Sequence, residues 1–439
     1  RSTASIPGGV SFSHGEKGLK ACRGAHYLAF SSVTEISIRN PHGLAHKHGV
    51  YCRMNHLPLQ KFQFPWRRGN RFELLVDGHV YFPRMLEAVE LARRYVLLEI
   101  YLFESGVVAS RFIDALTRAA ARGVLVKVLT DDFGAAKLLD SDRERLTGAG
   151  VELLFYNPMH LRQWFGNMLR DHRKLLIVDG EAAFVSGTGI TDEFDDPKKP
   201  ARSWRETALH VSGPVLADWQ ELFMRVWNRH APQALLLPAP IAHAELADMR
   251  GRVATASPLL AQDIRRSLYR RVREAKQRVW LATAYFVPSR KLLRALKHAA
   301  QQGVDVRLLL PGRHTDHPAI RHAGRRFYSS LLRHGVRIFE YQPRFLHAKT
   351  LLCDQWVSIG SSNFDRWNLR WNLEANQEVD DPGFAASVHA MFEADLKVSV
   401  EIDKEQWQRR RWIARLREHL WGRVDMWLEN IGRMRVKRK

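Results

Sequence analysis

Cysteine is scarce in this chain: Cys22, Cys52 and Cys353 are the only three among 439 residues. Their odd number and wide spacing argue against a disulfide framework or a CxxC metal site and fit a reducing compartment. Long hydrophobic runs are missing too. No uninterrupted apolar stretch reaches about 18 residues, so no transmembrane helix is expected. Negative charge is also short: 46 Asp and Glu stand against 68 Lys and Arg, a formal net of +22. That balance favours an anionic partner, whether nucleic acid, an anionic membrane surface or a phosphate-bearing substrate. Methionine is absent before Met54, and the early sequence mixes Gly, Ser and His without periodicity. Residues 1–63 are therefore expected to form a flexible N-terminal extension, with residues 1–53 lying upstream of a natural start at Met54.

What the chain does have is a repeat of itself. Tyr95-Val-Leu-Leu-Glu-Ile-Tyr-Leu-Phe103 matches Arg278-Val-Trp-Leu-Ala-Thr-Ala-Tyr-Phe286, both rich in strand formers. Each is followed by apolar residues at helical spacing: Phe112, Ile113, Leu116, Ala119 and Ala120 in the first copy, Leu292, Leu293, Leu296, Ala299 and Ala300 in the second. Gly123 and Gly303 then fall where a left-handed residue closes a helix. Alternating strands and helices of this kind predict α/β layers. Two such units predict a pseudo-two-fold pair of α-β-α domains with a site at their interface. The expected divisions are 64–240 and 241–400, joined near Leu235-Leu-Leu-Pro-Ala-Pro240. Trp219, Phe223 and Trp227 read as a helix packed on the core.

The repeat carries chemistry. His172-Arg-Lys174 is followed by an apolar run and Asp179; His347-Ala-Lys349 is followed by an apolar run and Asp354. On a strand, residues i and i+2 share a face, so each histidine lies beside its lysine. One imidazole can attack phosphorus while the other protonates the departing oxygen. A phosphohistidine intermediate divides one hard displacement into two easier ones. Lys174, Lys349 and Asn363 can stabilise charge on phosphoryl oxygens. Asp179 and Asp354, five residues beyond the lysines, read as structural acids at strand ends. Glu206 and Glu374 can each hydrogen-bond a histidine. Nothing in this constellation calls for a metal or a cofactor.

The duplicated HxK-x4-D followed by Gly360-Ser361-Ser362-Asn363 closely resembles the phospholipase D superfamily. Phe64-Pro-Trp-Arg-Arg-Gly-Asn70, Gly189-Ile-Thr-Asp-Glu193, Trp204-Arg-Glu206 and Asn372-Leu-Glu-Ala-Asn376 narrow the resemblance, over residues 64 to 400, to bacterial cardiolipin synthases, particularly the shorter B-type. The resemblance implies phosphatidyl transfer between phosphatidylglycerol molecules at the cytoplasmic face of the bacterial inner membrane. It implies His172 as nucleophile and His347 as acid/base. Lys174, Lys349 and Asn363 then bind phosphate with Ser361 alongside, and Glu206 and Glu374 orient His172 and His347 respectively. One departure makes the halves unequal: Ser186-Gly187-Thr188-Gly189 puts Gly189 where the family has asparagine, with Thr188 or Thr191 as partial substitutes.

Residues 401–439 read as a basic amphipathic helix. Lys404 to Lys439 holds twelve Lys and Arg against four Asp and Glu, with four tryptophans, a composition suited to an anionic headgroup layer. Two other readings stand beside lipid transfer. A phospholipase D-type hydrolase or a nuclease would use the same histidines on another phosphodiester, but no nucleic-acid-reading module is recognisable and nucleic acid is not the expected partner. A non-catalytic binding relic would account for Gly189 but not for two intact histidines.

Overall fold

A computed structural model of the chain describes residues 63–159, 166–240, 247–258, 262–364 and 371–410. All but the last residue of the expected extension over 1–63, with its Met54 start, and most of the expected C-terminal helix lie outside these residues. The first half runs β1 (Arg67–Val76), α1 (Gly78–Leu91), β2 (Tyr95–Ile100), α2 (Val107–Ala121), β3 (Leu125–Asp131), α3 (Asp140–Gly148), β4 (Glu152–Tyr156), β5 (Lys174–Val178), β6 (Ala182–Ser186), β7 (Thr207–Ser212) and α4 (Leu216–His230). The second half runs β8 (Met249–Ala256), α5 (Asp263–Glu274), β9 (Arg278–Ala282), α6 (Arg290–Gln301), β10 (Asp305–Pro311), α7 (Pro318–Arg325), α8 (Tyr328–Arg333), β11 (Arg337–Tyr341), β12 (Thr350–Cys353), β13 (Trp356–Gly360), β14 (Glu374–Asp380), α9 (Pro382–Lys397), β15 (Ser399–Glu401) and α10 (Lys404–Arg409).

All strands among the described residues join one sheet, in the order β15-β11-β10-β9-β12-β13-β14-β8-β1-β7-β6-β5-β2-β3-β4. Read outward from the β8–β1 seam, the two halves repeat the same order, with β15 added at one edge. β2 is buried along its whole length because helices cover both faces of the sheet, which is why its sequence is an apolar run rather than an alternation. Val96, Leu98 and Ile100 pack with Phe82 of α1 and Phe112 of α2. Tyr95 and Leu97 face the other way, into a layer that both halves share: Trp219, Phe223 and Trp227 of α4 lie in one buried cluster with Val388 and Phe392 of α9. Trp219 Nε1 also donates to Gln377 Oε1 on β14 at 2.8 Å, crossing the seam. Gly123 and Gly303 close α2 and α6 with φ of +86° and +84°, where a side chain would be strained. No helix among the described residues is long and apolar enough to cross a membrane.

Two short backbone bridges stitch the halves together beside the histidines, Asp171 with Leu373 and Arg205 with Leu346. A buried ionic knot supports the second. Arg205 binds the Asp395 carboxylate on α9 through Nε and Nη2, at 3.1 and 2.9 Å, and Asp77 receives Arg344. Removing one partner of a buried pair leaves the other charged and desolvated. Arg205→Ala is therefore expected to destabilise the fold by about 3–5 kcal/mol, read as a lower urea midpoint than that of the parent chain.

Candidate active site

The two HxK motifs stand at the entrances to β5 and β12, Lys174 being the first residue of β5. Each leaves its own half's sheet just upstream of the strand and pairs with backbone from the other half. His172 N donates to Leu373 O at 3.0 Å, and His347 N donates to Arg205 O at 2.8 Å. The histidines thus sit ahead of the strands rather than on them. Each lysine still lies beside its histidine: Lys174 Nζ donates to His172 O at 2.6 Å, and Lys349 Nζ lies 2.7 Å from His347 Nδ1.

The bridges decide which glutamate meets which histidine. Leu373 and Arg205 immediately precede Glu374 and Glu206, so each carboxylate is delivered to the histidine of the opposite half. His172 Nδ1 lies 3.0 Å from Glu374 Oε1, and His347 Nδ1 lies 2.6 Å from Glu206 Oε2. The expected pairing of Glu206 with His172 and Glu374 with His347 is therefore corrected: the partners are exchanged between the halves.

Asn363 is buried, and neither its Oδ1 nor its Nδ2 has a partner among the described residues. An amide left unpaired in a buried position is costly unless a ligand completes it. Ser361, expected alongside the phosphate, is instead turned to β14. Its hydroxyl donates to the Glu374 carboxylate and accepts from Ala375 N at 3.1 Å, which makes it a support for Glu374. Asp179 and Asp354 sit at the far ends of β5 and β12 from the histidines. The Asp179 carboxylate accepts the backbone N–H groups of Arg93, Arg94 and Tyr95, and Asp354 accepts those of Lys276, Gln277 and Arg278. Both residues are left-handed, with φ of 55° and 51°, and each clamps the start of the neighbouring strand.

The halves differ in more than Gly189. A Cβ on Gly189 would lie 2.8 Å from Leu102 Cβ and 3.0 Å from Leu102 O, so the site there has no room for an asparagine side chain. The Thr188 hydroxyl is already engaged, 2.9 Å from the Tyr81 hydroxyl and donating to Gly189 O at 3.0 Å. Thr191 Oγ1 is buried without a partner among the described residues. Gly187 occupies the place of Ser361, and a Cβ there would lie 2.5 Å from Glu206 Oε2 and 2.7 Å from Lys349 Cδ. Its bareness lets Lys349 reach Glu206, with Nζ donating to Oε2 at 3.2 Å.

These contacts divide the electrostatics. Burial works to raise the Glu206 carboxyl, but Lys349 and His347 outweigh it and hold the group below its ordinary range. Burial pushes Glu374 up to about 8 against the pull of Lys174 and Ser361. Burial draws His347 down to about 4, aided by Lys349, and draws His172 well below its ordinary value, aided by Lys174 and Lys349. Lys174 falls to about 7, again chiefly through burial.

Several neighbours are not marked as site residues by the sequence motifs, although Trp204 stands within one of them. Trp204, Phe194 and Phe345 place ring centroids 5.2, 5.3 and 5.7 Å from His347, whereas His172 has Tyr101 at 4.8 Å. Beneath His172 lies a buried polar network. Asp131 accepts from Asp171 N at 2.9 Å and Arg170 Nη1 at 3.2 Å, and Arg173 donates to Glu99 at 3.2 Å. Burial lifts Asp131 to about 6 despite Arg170. For this network a signal does exist: Asp171 and Arg173 stand where the second copy has Leu346 and Ala348.

The chain matches the family described as cardiolipin synthase, PLD-like domain, over residues 85–227 and 268–396. It is 35% identical over 362 residues to cardiolipin synthase A of Pseudomonas aeruginosa (strain LESB58), covering 81% of this chain and 72% of that one. It is 30% identical over 371 residues to cardiolipin synthase of Clostridium perfringens (strain SM101 / Type A), covering 80% and 75%. Phosphatidylserine synthase of Haemophilus influenzae Rd KW20 shares the fold with a TM-score of 0.65 at 12% identity, over 87% of this chain and 97% of that one. The paired, cross-held histidines are thus set in a chain that belongs to the cardiolipin synthase family, built from two phospholipase D-like halves.

Proposed function

We propose that the site transfers a phosphatidyl group from one phosphatidylglycerol to another through a phosphohistidine on His172, forming cardiolipin and releasing glycerol. The observation that carries this reading is a pair of imidazoles, His347 buried and His172 half-buried, each held at Nδ1 by a carboxylate, with a buried Asn363 amide that has no partner among the described residues in the motif after His347. With Nδ1 held, Nε2 is the reacting nitrogen. His172 Nε2 attacks phosphorus, the bond to the glycerol headgroup breaks, and His347 gives its Nε2 proton to that oxygen. The primary hydroxyl of a second phosphatidylglycerol then loses its proton to His347 and attacks phosphorus. The phosphorus–nitrogen bond breaks and His172 is restored.

The unequal glutamates favour this division of roles. Glu206 is held anionic and can stabilise an imidazolium at His347 each time it takes the proton. Glu374 is biased towards its neutral form, which suits a nucleophile that stays unprotonated. The bound phosphate diester supplies the negative charge that raises His347 from its low value in the empty site and keeps both lysines charged.

Lys174 gives this reading a pH signature. Its protonated form binds phosphate, so kcat/KM is expected to fall as pH rises through about 7. The same limb in kcat is expected at higher pH, because the bound phosphate holds the proton. Initial rates from about pH 5 to about pH 9, at low and at saturating substrate, check both.

The family's lipid chemistry supports a place for the chain at a membrane. Its docking at the cytoplasmic face of the bacterial inner membrane, aided by the basic segment 404–439, belongs to this proposal; deleting 411–439 is expected to weaken binding to anionic vesicles. Incubation with phosphatidylglycerol followed by lipid mass spectrometry tests the function itself. Cardiolipin and glycerol support transfer. Phosphatidic acid alone replaces transfer with hydrolysis, and an inert lipid with cleaved DNA points to a nuclease.

A further inference from the structure

Large apolar side chains that stand singly on a surface need no explanation, but several gathered beside an active site do. Phe133, Leu139 and Met159 are 56%, 60% and 49% exposed. They lie on adjoining loops at the end of the first half's sheet where His172 sits. Asp131 ties them to that site: its carboxylate accepts Phe133 N at 3.0 Å and also Asp171 N, next to His172. The next residue, Asp132, accepts Met159 N at 3.0 Å, joining the second loop to the first. Leu139 closes the Phe133 loop, its N–H donating to Ser105 Oγ at 2.9 Å.

The matching end of the second half has a different character. Arg313 follows β10, and Arg290 and Lys291 open α6; all three are exposed. The loop that carries Arg313 leaves β10 at the end of the sheet where β12 begins, because β10 runs parallel to β9 and Ala282 of β9 pairs with Thr350, and Tyr285, just ahead of α6, donates to Asp316 on that loop. The end of the sheet at which the histidines sit therefore carries exposed apolar side chains on the first half and, on the second, three exposed cations with Asp316 among them.

We propose that this rim is the face that seats the enzyme on an anionic phospholipid bilayer, with Phe133, Leu139 and Met159 entering the acyl boundary and Arg290, Lys291 and Arg313 meeting headgroup phosphates. The proposal rests on the reading that the substrate is a phospholipid. A diacyl substrate held at both histidines keeps its chains near the bilayer, and an apolar margin at the mouth shortens the distance the headgroup must be lifted. Charge complementarity selects the occupant: the cationic side fits anionic headgroups, and the apolar side fits the layer beneath them.

The test uses the full chain with Phe133→Ser and Leu139→Ser combined, and Leu91→Ser as a control. Leu91 is equally apolar and exposed but lies at the end of α1, just before β2 begins. Binding to phosphatidylglycerol vesicles is measured by co-sedimentation, and turnover is measured on those vesicles and on monomeric dihexanoyl phosphatidylglycerol. The double variant is expected to bind vesicles about tenfold or more weakly and to lose vesicle turnover in proportion. Turnover on the monomeric lipid, and all behaviour of the control, are expected to stay unchanged. Arg290→Gln with Lys291→Gln is expected to remove the preference for phosphatidylglycerol over phosphatidylcholine vesicles. Unchanged vesicle binding by the double variant overturns the proposal, as does a dimer that this variant converts to monomer with vesicle binding intact. A parent chain that turns over neither form of the lipid overturns the reading of function instead, and the binding measurement still decides the rim.

Discussion

His172→Ala is expected to lower kcat/KM for cardiolipin formation by about 10⁴-fold or more, the scale seen when a covalent nucleophile is removed from a group of residues acting together. His347→Ala is expected to cost as much with phosphatidylglycerol, whose leaving glycerol oxygen needs a proton. The two variants separate on a substrate that does not need that proton. With a 4-nitrophenyl phosphodiester of the same lipid, His347→Ala is expected to release a burst of nitrophenol and accumulate a phosphatidyl-enzyme, because only the second step then lacks its base. His172→Ala is expected to give neither. Rapid-quench measurement of the burst, with mass spectrometry of the modified chain, reads both. A burst from His172→Ala and none from His347→Ala would exchange the two roles.

The second large effect comes from the exchanged glutamates. Glu206→Gln is expected to slow turnover by about 10²- to 10⁴-fold, as when a histidine loses its orienting carboxylate. Since Glu206 binds His347, its loss is expected to spare the nitrophenol burst and slow the later transfer to the acceptor alcohol. Glu374→Gln, acting on His172, is expected to slow the burst itself. Pairing within each half would produce the opposite distribution, so these variants test the geometry as well as its importance. They also bear on the asymmetry of charge. Glu206 is held anionic by Lys349 and His347, so neutralising it changes the field at His347. Glu374 is already biased towards the neutral form, so its substitution acts more through orientation.

The buried network under His172 shows how far local sequence carries and where it stops. Asp171 and Arg173 flank His172 on the face turned away from the site, where an apolar pair would be the simpler choice. Their charge is visible in the sequence, as is the Leu346 and Ala348 contrast. Their partners are not. Asp131 and Glu99 lie on β3 and β2, and only the strand order places them beneath residues 171 and 173. The aromatic wall around His347 is similar: Trp204 stands in a legible motif, but its place beside that imidazole depends on the docking of the halves.

Strand and helix periodicity, the duplicated HxK motif and the helix-closing glycines were legible because each depends on residues close together in the chain. Chain-local spacing sets which side chains share a face, and so which lysine accompanies which histidine. The identity of the carboxylate at each histidine depends on contacts spanning 202 and 141 residues. Those contacts are made by backbone bridges that exist only after the halves dock, and no periodicity within either half encodes them. The same holds for Ser361, which β14 turns towards Glu374, and for Gly189, which Leu102 leaves no room to replace. The sequence by itself determined that two histidines, each with its lysine, form the duplicated motif on which the proposed chemistry rests. The tertiary structure decided that each is completed by the other half, so that neither copy of the repeat holds a whole active site.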